Sequence, residues 1–124
     1  MVLENFYEIT SKEANEDNNS FGYQIKVNSL HPIFKGHFPD NPVMPGVCML
    51  QIIKEVTEEI VDSKLFMQKC ANVKFMALIN PDINAVLQLQ LSVSQYEGIV
   101  KVKSTTRFDD TVALKMSAEY RMMP

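Results

Sequence analysis

The segment KGHFPDNPVMPGVCMLQ, residues 35–51, combines a stiff loop with the start of a helix. Pro39, Pro42 and Pro45 each fix φ and remove a backbone donor, so no regular structure is expected through residues 29–45. From Gly46 onward apolar residues recur every three or four positions, which predicts one amphipathic helix of roughly four turns. The apolar positions expected on its buried face are Val47, Met49 or Leu50, Ile53, Val56 and Ile60.

Alternating apolar and polar residues on both sides of this helix predict β-strands. LENFYEITSKEA (3–14) fits a first strand or a short helix, and FGYQIKVN (21–28) fits a half-buried strand. Four strands in series are then expected: LFMQKCANVKFMALI (65–79, bent near Asn72), AVLQLQLSVSQY (85–96), IVKVKSTTRF (99–108) and TVALKMSAEYRM (111–122). The sheet should wrap around the helix, because nothing else in the chain can bury it.

Composition narrows the class of protein. The chain has 124 residues, 46% of them hydrophobic, without a repeat or a flexible linker, which predicts one domain over residues 1–124. A formal net charge of −3 with scattered Lys and Arg argues against a nucleic-acid partner. No apolar run is long enough for a membrane helix, and residues 1–17 do not resemble a signal peptide, so we expect a cytoplasmic protein.

The two cysteines, Cys48 and Cys70, have no metal-ligand spacing, and we expect both to be small buried residues. His31 lies six residues before His37, which is not an established metal spacing either, and is expected to be a loop residue. The sequence therefore implies neither a metal nor an organic cofactor.

The motif allows either a site that binds a carbonyl group or a plain structural role. A stiff loop would hold the His37 imidazole in a narrow range of positions, which suits a general base. The free amides at the helix start, Gly46 and Val47, would form an oxyanion hole for a carbonyl. The same residues also allow a plain structural role, in which His37 belongs to a loop and Pro45-Gly46 only starts a helix.

GHFPDNPVMPGVCMLQ (36–51) resembles the signature of the 3-hydroxyacyl-acyl-carrier-protein dehydratases of type II fatty acid synthesis, and VKFMALINPD (73–82) resembles a later segment more weakly. The resemblance implies an α+β hot-dog fold, an antiparallel sheet wrapped around one long helix. It implies reversible loss of water from a 3-hydroxyacyl thioester on acyl carrier protein. It assigns proton abstraction to His37 and carbonyl polarisation to the amides of Gly46 and Val47.

Gln51 departs from the family pattern, which has a helix carboxylate fourteen residues after the histidine. A carboxamide does not protonate a leaving hydroxyl, and lost general-acid help costs about 10²–10⁴ in rate. Gln51 would then orient the hydroxyl or water, with Glu55, one turn further on, as an alternative acid. The chain would otherwise be a non-catalytic acyl-thioester-binding partner subunit of a dehydratase-like heterodimer, or a hot-dog thioesterase. Glu55, Glu58 and Glu59 are also explained as a solvated helix face.

The resemblance also implies an assembly. The family forms dimers in which each site combines one subunit's histidine with the other subunit's helix residue. We therefore expect a homodimer, a higher oligomer of dimers, or a heterodimer with a paralogue. Acyl carrier proteins are acidic, so Lys35, beside the motif, is a candidate contact.

Overall fold

The computed structural model describes residues 4–36 and 42–124; His37 and Pro39 lie outside the described residues. Its elements follow the predicted order of two strands, one helix and four strands. Their bounds are β1 Tyr7–Asn15, β2 Ser20–Val27, α1 Gly46–Val61, β3 Leu65–Phe75, β4 Val86–Tyr96, β5 Ile99–Phe108 and β6 Thr111–Met122. The first segment, for which the sequence allowed either a strand or a short helix, forms strand β1.

All six strands form one antiparallel sheet in the order β1-β2-β4-β5-β6-β3. The chain leaves β2, passes through α1, and re-enters the sheet at the far edge as β3. This crossover places the helix across one face of the sheet. β1 and β3 are the two edge strands, and each pairs with one neighbour only.

One stripe of α1 is buried against the sheet. Its members, spaced three or four residues apart, are Cys48, Met49, Ile52, Ile53, Val56 and Thr57. The facing side of β4 alternates as predicted, with Leu87, Leu89 and Leu91 buried and the intervening glutamines exposed. The predicted stripe was wrong at its start, because Val47 is 60% exposed, about 100° around the helix from buried Cys48.

Three further details differ from the sequence predictions. Residues Pro32–Gly36 form a short 3-10 helix within the segment expected to be irregular, where the fixed φ of proline suits a first helical position. Cys48 is buried as expected, but Cys70 on edge strand β3 is only half-buried. β3 bends near Asn72, as predicted, where the residue has φ 56° and the pairing with β6 shifts register. Within residues 4–36 and 42–124, no helix has both the length and the apolar character to span a membrane.

The first prediction concerns the helix–sheet core. Ile53→Ala should lower the free energy of unfolding by about 2–5 kcal/mol, because Ile53 is fully buried and its loss leaves a cavity. Ile83→Ala, at a turn position that is 76% exposed, should change it by less than about 0.5 kcal/mol. Urea unfolding followed by circular dichroism measures both. Equal effects of the two substitutions would contradict this account of the core.

Candidate functional site

The start of α1 is open. Pro45 precedes the helix in an extended conformation, φ −63° and ψ 138°, and no side chain caps the helix. The amides of Cys48 and Met49 both donate to the Pro45 carbonyl, at 3.0 and 3.4 Å. The amides of Gly46 and Val47 have no acceptor among the described residues. Free N–H groups at a helix N-terminus carry partial positive charge, so this position suits a carbonyl oxygen.

An apolar cavity of about 530 Å³ opens at this helix start, lined by residues 43–46, Met49 and residues 75–79. The strand was predicted to continue to Ile79, but the chain leaves the sheet at Phe75. Residues 75–79 therefore reach the cavity. The amides of Met76 and Ala77 donate to the Ala113 carbonyl at 2.8 and 3.3 Å, and Met44 N–H donates to the Ile79 carbonyl at 2.8 Å. These long-range hydrogen bonds end β3 early and bring its continuation to the helix.

Glycine at position 46 has a steric reason in this arrangement. A Cβ at Gly46 would lie 2.9 Å from Cζ of Phe75, closer than real side chains approach. The absent side chain therefore lets the Phe75 ring pack over the first turn of α1. The Phe75 ring and Gly46, with its open amide, both line this end of the cavity.

Gln51 is held by Glu55, which is held in turn by Tyr7. Its Nε2 donates to Oε2 of Glu55 at 2.9 Å, and the Tyr7 hydroxyl donates to Oε1 of the same carboxylate at 2.8 Å. An ionised carboxylate only accepts hydrogen bonds, so the nitrogen side of the Gln51 carboxamide must face Glu55. Burial and the hydrogen bond to Glu55 raise the pKa of Tyr7 above its usual range, which keeps the phenol protonated as a donor.

The helix carboxylates are not simply a solvated face. Glu55 holds Tyr7 and Gln51, and Glu58 accepts the Leu65 N–H at 2.8 Å. Glu59 fits the solvated description best, since its contact with Lys12 is a 3.5 Å ion pair between exposed side chains. Both carboxylate oxygens of Glu55 are occupied as hydrogen-bond acceptors, and its role as an alternative acid stays a prediction.

Within one chain, Gln51 does not reach the cavity at Gly46. Met49 faces the cavity, whereas Gln51 lies about 200° away around the helix axis. Gln51 and Glu55 line a separate groove of about 970 Å³ along the outer side of α1. The structure therefore places the cavity lined by Gly46 and Met49 on the opposite side of the helix from Gln51. His37 lies outside the described residues, and its role as the base stays a prediction.

Tyr7 was missed by the sequence analysis. It lies 48 residues from Glu55, and no local pattern connects a strand tyrosine to a helix carboxylate at that separation. His31 is a structural loop residue, as expected. Its Nδ1 accepts from Ile33 N–H at 3.1 Å, so Nε2 carries the proton and donates to the Glu4 carbonyl at 3.1 Å.

Among residues 4–36 and 42–124, no three side chains of His, Cys, Asp or Glu lie close enough together to hold a metal ion.

A six-stranded antiparallel sheet packed around one long helix defines a hot-dog fold. Known structures share this fold. The dehydratase heterocomplex ApeI:P from Xenorhabdus doucetiae matches with a TM-score of 0.72 at 16% identity, over 92% of this chain and 96% of that one. The thioesterase-like protein yhdA from Lactococcus lactis matches with a TM-score of 0.65 at 11% identity, over 94% and 93%. At these identities the likeness shows the fold alone.

Sequence comparison shows the family. The chain belongs to the ApeI-like family, described as ApeI dehydratase, whose model matches residues 12–115. It is also 31% identical over 94 residues to the 3-hydroxyacyl-acyl-carrier-protein dehydratase FabZ of Thermoanaerobacter sp. (strain X514). This match covers 70% of the chain and 66% of that relative, so the chain spans just under two thirds of its length.

The second prediction concerns the buried tyrosines. The pKa values of Tyr7, Tyr23 and Tyr120 are all raised, chiefly by burial. Unfolded tyrosine titrates near pH 10, so above about pH 10 the folded state binds more protons than the unfolded state. Stability should therefore be unaffected by these groups below that pH and should fall above it.

Ultraviolet absorbance of ionised tyrosine measures this directly. In native protein at about pH 11, Tyr7, Tyr23 and Tyr120 should stay protonated, whereas in denaturant all four tyrosines of the chain ionise. Tyr7→Phe should remove one of the resistant groups. Simultaneous ionisation of all four in the native protein would contradict the packing described here.

Proposed function

We propose that this chain catalyses dehydration of a 3-hydroxyacyl thioester on acyl carrier protein to the trans-2-enoyl thioester. The observation that carries the proposal is the open start of α1. Gly46 lines an apolar cavity, and its free amide and that of Val47 lie in the first turn of the helix that starts there, as a thioester carbonyl with an attached acyl chain requires. The similarity to 3-hydroxyacyl-acyl-carrier-protein dehydratases supports the choice of reaction and carrier.

In the proposed reaction the thioester carbonyl accepts hydrogen bonds from Gly46 and Val47, which makes the adjacent C–H more acidic. His37 takes this proton, the C–O bond of the 3-hydroxyl breaks, and a double bond forms between the two carbons. Gln51 orients the hydroxyl but has no proton to donate. The proton that completes the departing water comes from the His37 imidazolium.

A second subunit completes the proposed site. The cavity and Gln51 lie on opposite sides of α1, so one chain does not bring both to the same substrate. The edge strand β3 has a free side and carries exposed apolar residues, including Phe66 and Phe75. Such an edge favours pairing. We propose a dimer through β3, with the same chain or a paralogue, alone or within a larger oligomer.

A second candidate function is favoured by Gln51 itself. A non-catalytic subunit would bind the acyl thioester and leave the acid to a paralogous partner. The solved structure with this fold that is named a dehydratase heterocomplex supports this alternative. The cytoplasmic location, and exposed Lys35 as a contact for an acidic carrier protein, belong to both versions of the proposal.

The third prediction tests the reaction. The pure protein should convert a 3-hydroxyacyl-carrier-protein substrate to the enoyl thioester, followed by its ultraviolet absorbance. His37→Ala should lose about 10²–10⁴ in rate, because general-base help is removed. Gln51→Glu should raise the rate if it restores a proton donor at that position.

The alternatives give different results. An inert wild type that gains activity through Gln51→Glu, or on addition of a paralogous subunit, would establish the partner-subunit function instead. Release of free acid and carrier thiol without an enoyl intermediate would identify a thioesterase and contradict the dehydration.

The fourth prediction tests the assembly. Phe66→Lys places a charge on the free β3 edge and should convert the dimer to a monomer in analytical ultracentrifugation, with loss of turnover. Tyr96→Lys is the control, since Tyr96 is a comparably exposed aromatic residue (75% against 60%) at the end of interior strand β4. A wild type that is active as a monomer would contradict the shared site.

A further inference from the structure

We propose that Glu55 and Tyr7 are positioning residues that fix the Gln51 carboxamide with its oxygen directed toward the substrate hydroxyl. This inference rests on the proposed function and adds two residues to it. The chain of contacts runs from Tyr7 on edge strand β1, through the Glu55 carboxylate, to Gln51 on the same helix.

The orientation of the amide follows from donor and acceptor chemistry. A carboxamide has a donor side and an acceptor side of nearly the same shape, so a free glutamine adopts both orientations. Beside Glu55, the flipped orientation would place the amide oxygen against a carboxylate oxygen 2.9 Å away. A hydrogen bond to a charged group favours the observed orientation by a factor of about 10 to 100.

Tyr7 makes this arrangement stiff. Without a second contact, the Glu55 side chain would be free to rotate and carry Gln51 with it. The Tyr7 hydroxyl binds the other carboxylate oxygen, and the contact is partly buried, so water competes weakly for it. Glu55 is thereby tied to the sheet on one side and to Gln51 on the other.

The fixed amide specifies a class of substrate. With Nε2 bound to Glu55, the acceptor oxygen of Gln51 is the part directed away from the helix carboxylate. An acceptor binds a group that donates an O–H, such as a 3-hydroxyl or the water formed from it. A 3-oxoacyl thioester has no such donor and would set two acceptors against each other. The geometry therefore selects 3-hydroxyacyl over 3-oxoacyl thioesters at this position.

The chain contains a matched control for this arrangement. Tyr23 of β2 lies beside Glu59, one helical turn beyond Glu55, and the two factors that raise its pKa are burial and that carboxylate. This second tyrosine and glutamate lie on the same sheet and the same helix as the first pair. It does not contact Gln51, whose hydrogen bond within the described residues is to Glu55.

The experiment compares Tyr7→Phe and Glu55→Ala with Tyr23→Phe and Glu59→Ala in the full chain, with its partner where one is required. Nitrogen-15 NMR of the Gln51 side-chain amide, assigned by its absence in Gln51→Met, is the first readout. We expect Tyr7→Phe and Glu55→Ala to move this signal toward that of exposed glutamines and to speed its hydrogen exchange. The control pair should leave it unchanged.

Steady-state kinetics is the second readout. Tyr7→Phe should lower kcat about tenfold with little change in KM, because the amide is misplaced while the acyl cavity is intact. It should also reduce the preference for binding 3-hydroxyacyl over 3-oxoacyl thioesters. Tyr23→Phe should change neither quantity.

The experiment distinguishes failure of the positioning role from failure of the proposed reaction. An unchanged Gln51 amide signal in Tyr7→Phe and Glu55→Ala, or equal changes in both pairs, would overturn the positioning role. If the amide responds as expected but no form of the protein dehydrates substrate, the positioning of Gln51 stands and the proposed reaction falls.

Discussion

The structure depends on burying one apolar stripe of one helix. Among the described residues α1 is the one α-helix, so the sheet must curve around the stripe from Cys48 to Thr57 to exclude water from it. The sheet covers the apolar side of the helix, and the apolar cavity lies at the helix start. The opposite side of the helix carries the polar residues, including Gln51 and Glu55. The cavity at the helix start and the groove with Gln51 therefore lie on different sides of α1.

The polar side is organised by carboxylates that contact the sheet. The exposed pair of Glu59 with Lys12 contributes about 0–1 kcal/mol, as surface ion pairs do. The partly buried hydrogen bonds of Glu55 are of the kind that contributes about 1.5–3 kcal/mol, because one partner is charged. Glu55 is therefore the stronger connection between helix and sheet, and it is also the one that contacts Gln51.

The fold was largely predictable because its signals are local. Alternation identified β4, β5 and β6, and helical spacing placed the start of α1 at Gly46. The predictions were wrong where contacts between residues far apart in sequence determine the local structure. β3 ends at Phe75 instead of Ile79 because Ala113 and Met44 bind the segment that follows. Val47 fits the apolar spacing of the helix but is exposed. The position of the sheet determines which side of the first turn is buried, and the local sequence does not show that position.

The site divides in the same way. The open helix start at Gly46 could be predicted, because Pro-Gly before an apolar helix is a local pattern. The Tyr7–Glu55–Gln51 arrangement could not, since the crossover of the chain brings together residues 48 positions apart. The reason for glycine at position 46 was found only in part. The sequence indicated unobstructed amides, and the structure adds the close approach of Phe75.

Gln51 and Glu55 are best understood as one unit. A donor and an acceptor one helical turn apart satisfy each other, whereas two ionised carboxylates 2.9 Å apart would repel. Introducing a carboxylate at position 51 alone would therefore place two like charges next to each other, beside Tyr7. The chemistry available at position 51 is thus set by Glu55 as much as by the residue itself. With Glu55 in place, glutamine fills the position without a charge conflict and supplies an oriented amide instead of a proton donor.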